Sequence, residues 1–460
     1  MMNTGFQSPS IPLRSIHRLI HHVVSQLHFS FYRHQRVVMD FSGGRITNDC
    51  GLLPLRAFDR QHRLSESIAE LLSEDRDVAR LVHDHQALLC QRIYGIVAGY
   101  EDGNDATRLR FDPAFQMLAD RKLEDPLSSQ PTLSRWENSV PARDIVHLNR
   151  LLLDWFVRRC GQQVRRRGEF LLDIDCTEDP IHGQQQMSMF NGHFGESCYH
   201  PLLLFERHTG CLLSVRLRRG NCVSYNRVVP VLRPVLERLR AAFPRVVIRF
   251  RADAGFAVPG LYELLEKHQV QYAIRFPSHQ FVKQQVQQLL TMVQQAQEST
   301  GQEYRIFTVR HHYAPIWGRA RRLCIEIHAP DERLPVRCII TNMDQAPSRV
   351  TEFYNGRAEC ENRIEELKNG FYADRLSCHR FLANCFRLLL HSFAYNLVNL
   401  FRLRHVPRAL RGLQIETLRI RLFKLAAQIR QTARCIRIRC ATGWPFTVLF
   451  HKVAQPFSSA

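Results

Sequence analysis

The stretch "EFLLDIDCT", residues 169–177, decides the fold. It reads as a strand whose last residues are acidic. Side chains two apart on a strand share one face, so Asp173 and Asp175 point the same way. Downstream, "HPLLLFERHTGCLLSVRLRRG" reads as two strands about an HTG turn, where Gly210 can take a positive φ. "VLRPVLERLRAAF" reads as a helix with Leu232, Leu236 and Leu239 aligned and Pro230 or Pro234 in its first turn. "RVVIRFRADAGF" is a strand ending at Asp253, "LYELLEKH" a short helix, and "VQYAIRF" a strand alternating Val270, Tyr272, Ile274 and Phe276.

Three strands in a meander, then helix, strand, helix, strand, is the order of an RNase H-like α/β core. Between Phe276 and Tyr354 that order is interrupted by a glutamine-rich helix and three alternating runs, "YRIFTVRH", "RRLCIEIH" and "VRCIITNM". These are expected to form a small antiparallel β subdomain inserted at about residues 277–345. Residues 38–165 read as a mostly helical domain, with apolar residues such as Ile68, Leu71, Leu72, Val78 and Leu81 at helical spacing. Residues 1–37 form a loosely specified leader, and Met39 offers an alternative start. The core with its insertion fills residues 166–405. Residues 406–460 are expected to be an arginine-rich helical tail whose sole acid is Glu416.

The formal net charge of +20 over 460 residues favours an anionic partner, nucleic acid or a membrane surface. No run of eighteen apolar residues is present. The longest candidate, Phe381 to Phe401, is interrupted by Asn384, Arg387, His391 and Asn396, and reads as a buried helix rather than a span. The N-terminus lacks the apolar core and small-residue cleavage site of a signal peptide. The 14 cysteines contain no CxxC pair and read as reduced, mostly buried thiols of a cytosolic protein. Cys198 and His200 in "CYH" are too weakly patterned for a zinc site.

The chemistry begins at "EFYNGRAECENRIEELKNGF", residues 352–371. Tyr354, Arg357, Glu361 and Lys368 follow at steps of three, four and seven, which on a helix share one face. A solvated charged face would look the same. Asp175 closes the first strand of the core, Asp253 closes a neighbouring strand, and Glu361 can face both from a packed helix. An aspartate after a strand is alternatively a turn residue or cap. Three carboxylates brought together would suit two Mg²⁺ or Mn²⁺ ions held jointly with a substrate phosphate, for phosphoryl transfer to water or a 3′-hydroxyl. Asp173 shares a face with Asp175, so either could reach an ion. Arg251, two residues before Asp253, is a phosphate contact or a local counter-ion.

The motifs "FSGGRITNDCGLLPLRAFDR", "GYEDGNDATRLRFDPAF", "TLSRWEN", "LDIDCTEDPIHGQQ", "RADAGF", "FYNGRAECENRIEELKN", "DRLSCHRFLANCFRLLL" and "AYNL" resemble those of bacterial insertion-sequence transposases of the DDE class. The group most resembled is insertion-sequence family thirteen-eighty, over roughly residues 40–405. The most specific signature is Y-(2)-R-(3)-E-(6)-K, here Tyr354, Arg357, Glu361 and Lys368. The resemblance implies that Glu361 is the third metal-binding acid and that Tyr354, Arg357 and Lys368 hold DNA phosphates. Its pattern of aspartate, any residue, threonine favours Asp175, with Thr177, as the first acid, and Asp253 as the second. Related transposases use a β insertion to hold the DNA end, sometimes by stacking a tryptophan on a displaced base. Trp317, beside Arg319, Arg321 and Arg322, matches that pattern; a tryptophan packed under a hairpin is the alternative.

The activity so implied is binding of an element's terminal inverted repeats, metal-dependent cleavage and strand transfer into target DNA, by a homodimer in a synaptic complex in the bacterial cytoplasm at the nucleoid. End recognition is expected from the helices before residue 165, with help from the basic tail. Two alternatives are a nuclease without transfer activity and a domesticated, non-catalytic DNA-binding protein. The presence of all three acids weighs against the second.

Overall fold

The computed structural model describes residues 26–458 apart from 182, 278–281, 283, 285 and 330–335. Residues 1–25 of the expected leader therefore lie outside the described residues. Residues Leu27–Phe29 and Val37–Met39 pair as a two-stranded hairpin.

The upstream region is helical, and its longest elements are α1 (His85–Ala98) and α2 (Ala142–Arg159). α1 starts at Asp84, whose carboxylate accepts the Ala87 N–H at 2.7 Å, and stops at Gly99, which takes a φ of 91°. The helical spacing expected through Val78 and Leu81 does not hold. The preceding helix ends at Leu71, where Ser73 turns to bond Asp144 of α2 at 2.7 and 3.0 Å.

Strands β1 (Glu169–Cys176), β2 (Leu202–Glu206), β3 (Cys211–Arg216), β4 (Val247–Ala252) and β5 (Gln271–Phe276) alternate with α3 (Val228–Ala242) and α4 (Pro259–Lys267) in the expected order. Pro230 falls in the first turn of α3 and Pro234 inside it. Three more strands follow: β6 (Tyr304–His312), β7 (Arg321–Ala329) and β8 (Val336–Thr341). They are antiparallel to one another, as expected, but they are not a separate sheet. β8 pairs with β5, from Ala273 opposite Thr341 to Phe276 opposite Cys338. The result is one eight-stranded sheet in the order β6-β7-β8-β5-β4-β1-β2-β3. Without this pairing β5 would present an open edge of unpaired backbone groups.

After the sheet come α5 (Pro347–Asn355), α6 (Ala358–Glu365) and α7 (Phe381–His405). α7 packs against α1, α2 and β3, so a continuous hydrophobic core runs from the upstream helices into the sheet. The polar residues that interrupt α7 are buried, and each makes at least one hydrogen bond. Asn396 accepts the Leu212 N–H at 2.9 Å and donates to the Leu212 carbonyl at 2.8 Å, completing the edge strand β3. Arg387 pairs with Glu137 at 2.6 Å, and His391 meets the Phe371 carbonyl at 2.5 Å. Burial holds the His391 imidazole near pKa 3, so it is neutral. Among the described residues no helix is long and apolar enough to cross a membrane.

The expected helical tail is corrected. Short helical turns reach Phe423, but β9 (Ala427–Gln431) and β10 (Ile436–Cys440) then form a hairpin, joined on the far side of β9 by Arg45–Thr47. "AQIRQ" and "IRIRC" alternate with the two-residue period of a strand, and the density of arginine disguised it.

Candidate active site

β1 and β4 lie side by side and run parallel, with Asp173 opposite Arg251. Two residues further along both strands stand Asp175 and Asp253, so both reach the same end of the sheet. The carboxyl ends of parallel strands are where open α/β sheets place their ligands. Asp253 accepts the Gly255 N–H at 2.9 Å and caps the turn Ala254–Phe256. There is no room for a side chain at Gly255, because a Cβ would lie 2.7 Å from Ser224.

Asp173 and Arg251 are sealed, at 1 % and 2 % exposure. Arg251 donates through Nε and Nη2 to the two Asp173 oxygens, each at 2.7 Å, and through Nη1 to the Phe353 carbonyl at 2.7 Å. The expectation of Arg251 as a phosphate contact is therefore corrected: it is a buried counter-ion with its donors engaged. Asp173 is corrected likewise as a metal ligand, since both its oxygens are bonded to Arg251 and face away from solvent.

Asp175 is also largely buried, at 9 % exposure, but it lines the cleft at the end of the strand. Burial raises its carboxyl to about 6, Arg357 opposes that, and Asp253 and Glu361 add to it. Arg357 Nη2 lies 2.5 Å from Asp175 Oδ2, and its Nη1 lies 3.3 Å from Glu361 Oε1. Lys368 Nζ reaches Glu178 Oε1 at 2.5 Å and Thr177 Oγ1 at 3.4 Å. Tyr354 is half-buried, and burial pushes its hydroxyl pKa up beside Arg357, Arg275, Asp253 and Asp175. The structure thus links Asp175, Arg357 and Glu361 directly, sets Asp253 and Tyr354 beside them, and holds Lys368 on Glu178 and Thr177, just after Asp175 in the chain.

The route differs from the expected single helix. α5 ends at Asn355 and α6 begins at Ala358, and a π turn, Glu366–Gly370, follows α6. Gly356 sits in the break, where a Cβ would fall 2.6 Å from Arg251 Nη1. A fixed 100° per residue cannot be carried through such a break and a π turn. Convergence comes instead from α6 packing on β1 while α5 packs on β5, β7 and β8.

Trp317 and Arg319 are placed elsewhere. Trp317 is 5 % exposed and meets Tyr262, Phe276 and His312 edge to face. A stacking platform needs an open ring face, so the expected base-stacking role is corrected to packing under the strands. Arg319 pairs with Glu266, which Arg321 also holds at 2.9 Å. His200 meets the Cys222 carbonyl at 2.7 Å rather than pairing with Cys198.

A cleft of about 580 Å³ opens at the acids. Asp175, Asp253 and Glu178 line one side, and Phe190, His193 and Tyr225 line another. This second wall, from the strands Met189–Asn191 and Glu196–Tyr199 and the loop before α3, was missed from sequence. Its signal is the strand–turn–strand pattern of "MFNGHFGESCY". Arg218 clamps the loop from beneath, donating to the carbonyls of His200, Ser224 and Asn226 at 2.8, 2.9 and 2.7 Å. No pattern in "RLRRG" marks that arginine from its neighbours.

Carboxylate oxygens are the donors a hard divalent cation prefers. Among the described residues, however, no three acidic, imidazole or thiol groups are gathered tightly enough to hold an ion. The Arg357 guanidinium lies between Asp175 and Glu361 and supplies the positive charge there. The carboxylate donors are of the type a divalent ion takes, and in this structure Arg357 occupies the place between them.

Residues 29–459 match the sequence family described as Transposase DDE domain group 1. No curated protein matches the chain. A solved structure described as the cryo-EM structure of a piggyBac transposase synaptic complex with hairpin DNA is similar at 12 % identity with a TM-score of 0.41, over 82 % of this chain and 81 % of that one.

Proposed function

The chain belongs to the Transposase DDE domain group 1 family, and from that premise we propose that it is the transposase of a bacterial insertion sequence of the family thirteen-eighty type. Its work is to bind the element's terminal inverted repeats and to cut and transfer DNA strands at an RNase H-like core. The observation that carries this reading is Asp175 at the end of β1, paired with the Arg357 that Glu361 also meets, and lining an open cleft together with Asp253.

In this reading Asp175, Asp253 and Glu361 hold Mg²⁺ or Mn²⁺. Bound there, two such ions would activate the attacking oxygen and stabilise the leaving one. Arg357 and Lys368 are paired with Asp175 and Glu178 in the free protein. On DNA they turn to phosphate, Arg357 as a fork and Lys368 as a point charge. Tyr354 stays a neutral hydroxyl and donates to phosphate. Thr177 and Glu178 keep Lys368 beside the first acid until DNA arrives. Two element ends require two active centres, so the working form is a homodimer in a synaptic complex, in the cytoplasm at the nucleoid.

The test is strand cleavage of a labelled duplex carrying the inverted repeat that flanks the gene. The purified protein should cut at the repeat end in Mg²⁺ or Mn²⁺ and not in chelator, and Asp253→Asn should abolish cutting while still binding the duplex. Cleavage that persists in chelator, or in Asp253→Asn, would remove the proposal.

A further inference from the structure

We propose that the outer face of the small sheet formed by β9, β10 and Arg45–Thr47 is a DNA-backbone grip separate from the catalytic cleft, an inference that rests on the transposase reading. The register sorts its side chains cleanly. Ala427 lies opposite Cys440 and Ile429 opposite Ile438, and Ala427 and Ile429 pack on Cys50, Ala114, Leu123 and Leu425. The other face carries Gln428 opposite Arg439 and Arg430 opposite Arg437. Arg430, Arg437 and Arg439 are exposed. Among the described residues none of the three has an acidic partner or a side-chain hydrogen bond.

Two like charges directly opposite on neighbouring strands repel and destabilise the pair. Neither Arg430 nor Arg437 has an acidic partner among the described residues, and no Asp or Glu follows Glu416 in the sequence. An arrangement that costs the free protein stability fits a partner that supplies the missing anions. Guanidinium groups fork onto phosphate oxygens. Arg437 and Arg439, two apart on one strand, stand about 6.8 Å apart, which is about two axial phosphate steps along one strand of a duplex. The chemistry is that of a double-stranded DNA backbone, read without regard to sequence.

The test compares the full chain with the combined variant Arg430→Ala, Arg437→Ala, Arg439→Ala and with the single variant Arg437→Gln. Binding of a fluorescent duplex is measured by anisotropy across a salt series, beside thermal melting and nicking by the parent. The triple variant should melt no lower than the parent, because a like-charge pair has gone. Its duplex affinity at moderate salt should fall roughly tenfold to a hundredfold. Its slope of log affinity against log salt should shrink by about 0.9 for each phosphate no longer neutralised, about 2.7 for three. Arg437→Gln, the gentlest change, should lose about 0.9 of slope. A parent that binds and nicks while both variants keep its affinity and slope overturns this surface alone. A parent that binds no duplex overturns the surface together with the functional reading. Loss of binding to phosphatidylserine vesicles, with duplex binding unchanged, overturns it in favour of an anionic membrane surface.

Discussion

Two aspartate–arginine pairs stand two residues apart on β1 and do different work. Asp173 and Arg251 form a closed, bidentate pair beneath Phe353 and Gly356, with no path to solvent. Asp175 and Arg357 form a single-pronged pair at the strand end, shared with Glu361 and open to the cleft. Residue types and strand face are the same in both. What differs is the distance from the end of the sheet, and that decides whether the carboxylate is sealed inside the fold or reaches the cleft.

The sharpest way to break this comparison is to neutralise each aspartate in turn. Asp175→Asn should fold like the parent, because Arg357 keeps Glu361, but should lose at least about a thousandfold in metal-dependent cleavage, about 4 kcal/mol of transition-state stabilisation. Asp173→Asn strands a buried guanidinium and should lose about 3–5 kcal/mol of stability in urea unfolding. If Asp173→Asn is stable and inactive while Asp175→Asn is unstable, the assignments are exchanged.

Trp317 extends the contrast to a residue that sequence made a candidate and packing made structural. Trp317→Ala should cost about 3–5 kcal/mol of stability through the cavity left among Tyr262, Phe276 and His312. The folded fraction should bind DNA as the parent does. A stable variant with weakened end processing would restore the stacking role.

Acidity probes the open pair more gently. The Asp175 carboxyl is raised to about 6, so it takes up a proton as pH falls through that value. Protons then compete with a metal ion, and Mn²⁺ affinity measured by titration calorimetry should fall by up to about tenfold per pH unit below 6. Stability has the reverse sign. A raised folded-state pKa favours the protonated native form, so the parent should gain on Asp175→Asn as pH drops from about 6 towards 4 and lose that advantage on the way back up. A pH-independent difference between them would mean that Asp175 titrates normally.

Much of this was legible in the sequence where the signal is local. The alternating runs of the core, the acids that close β1 and β4, and the polar residues that keep α7 from being a membrane span all carry their meaning within a few neighbours. The rest depends on partners distant in sequence. Whether Arg251 meets phosphate or Asp173 is set by the register of β4 on β1. Trp317 is buried by α4 and β5, which no property of "APIWGRARR" foretells. β6 to β8 join the main sheet because β5 offers an edge. The strands of the tail share a sheet with Arg45–Thr47, almost the whole chain away.

Glu361 offers the most direct test of the three-carboxylate site. Its side chain is 64 % exposed, so its loss cannot be mistaken for loss of the core. The choice of control matters: Glu366 is bonded to Arg402 at 2.7 and 3.1 Å and Glu359 to Arg363 at 3.0 Å, whereas Glu365 is exposed on the same short helix. Cleavage of the labelled inverted-repeat duplex should be measured for Glu361→Gln and Glu365→Gln side by side. Glu361→Gln should bind the duplex at least as well as the parent and cut it at least about a thousandfold more slowly, about 4 kcal/mol, with Glu365→Gln cutting at the parental rate. Parental cutting by Glu361→Gln, with or without a defect in Glu365→Gln, would contradict the account.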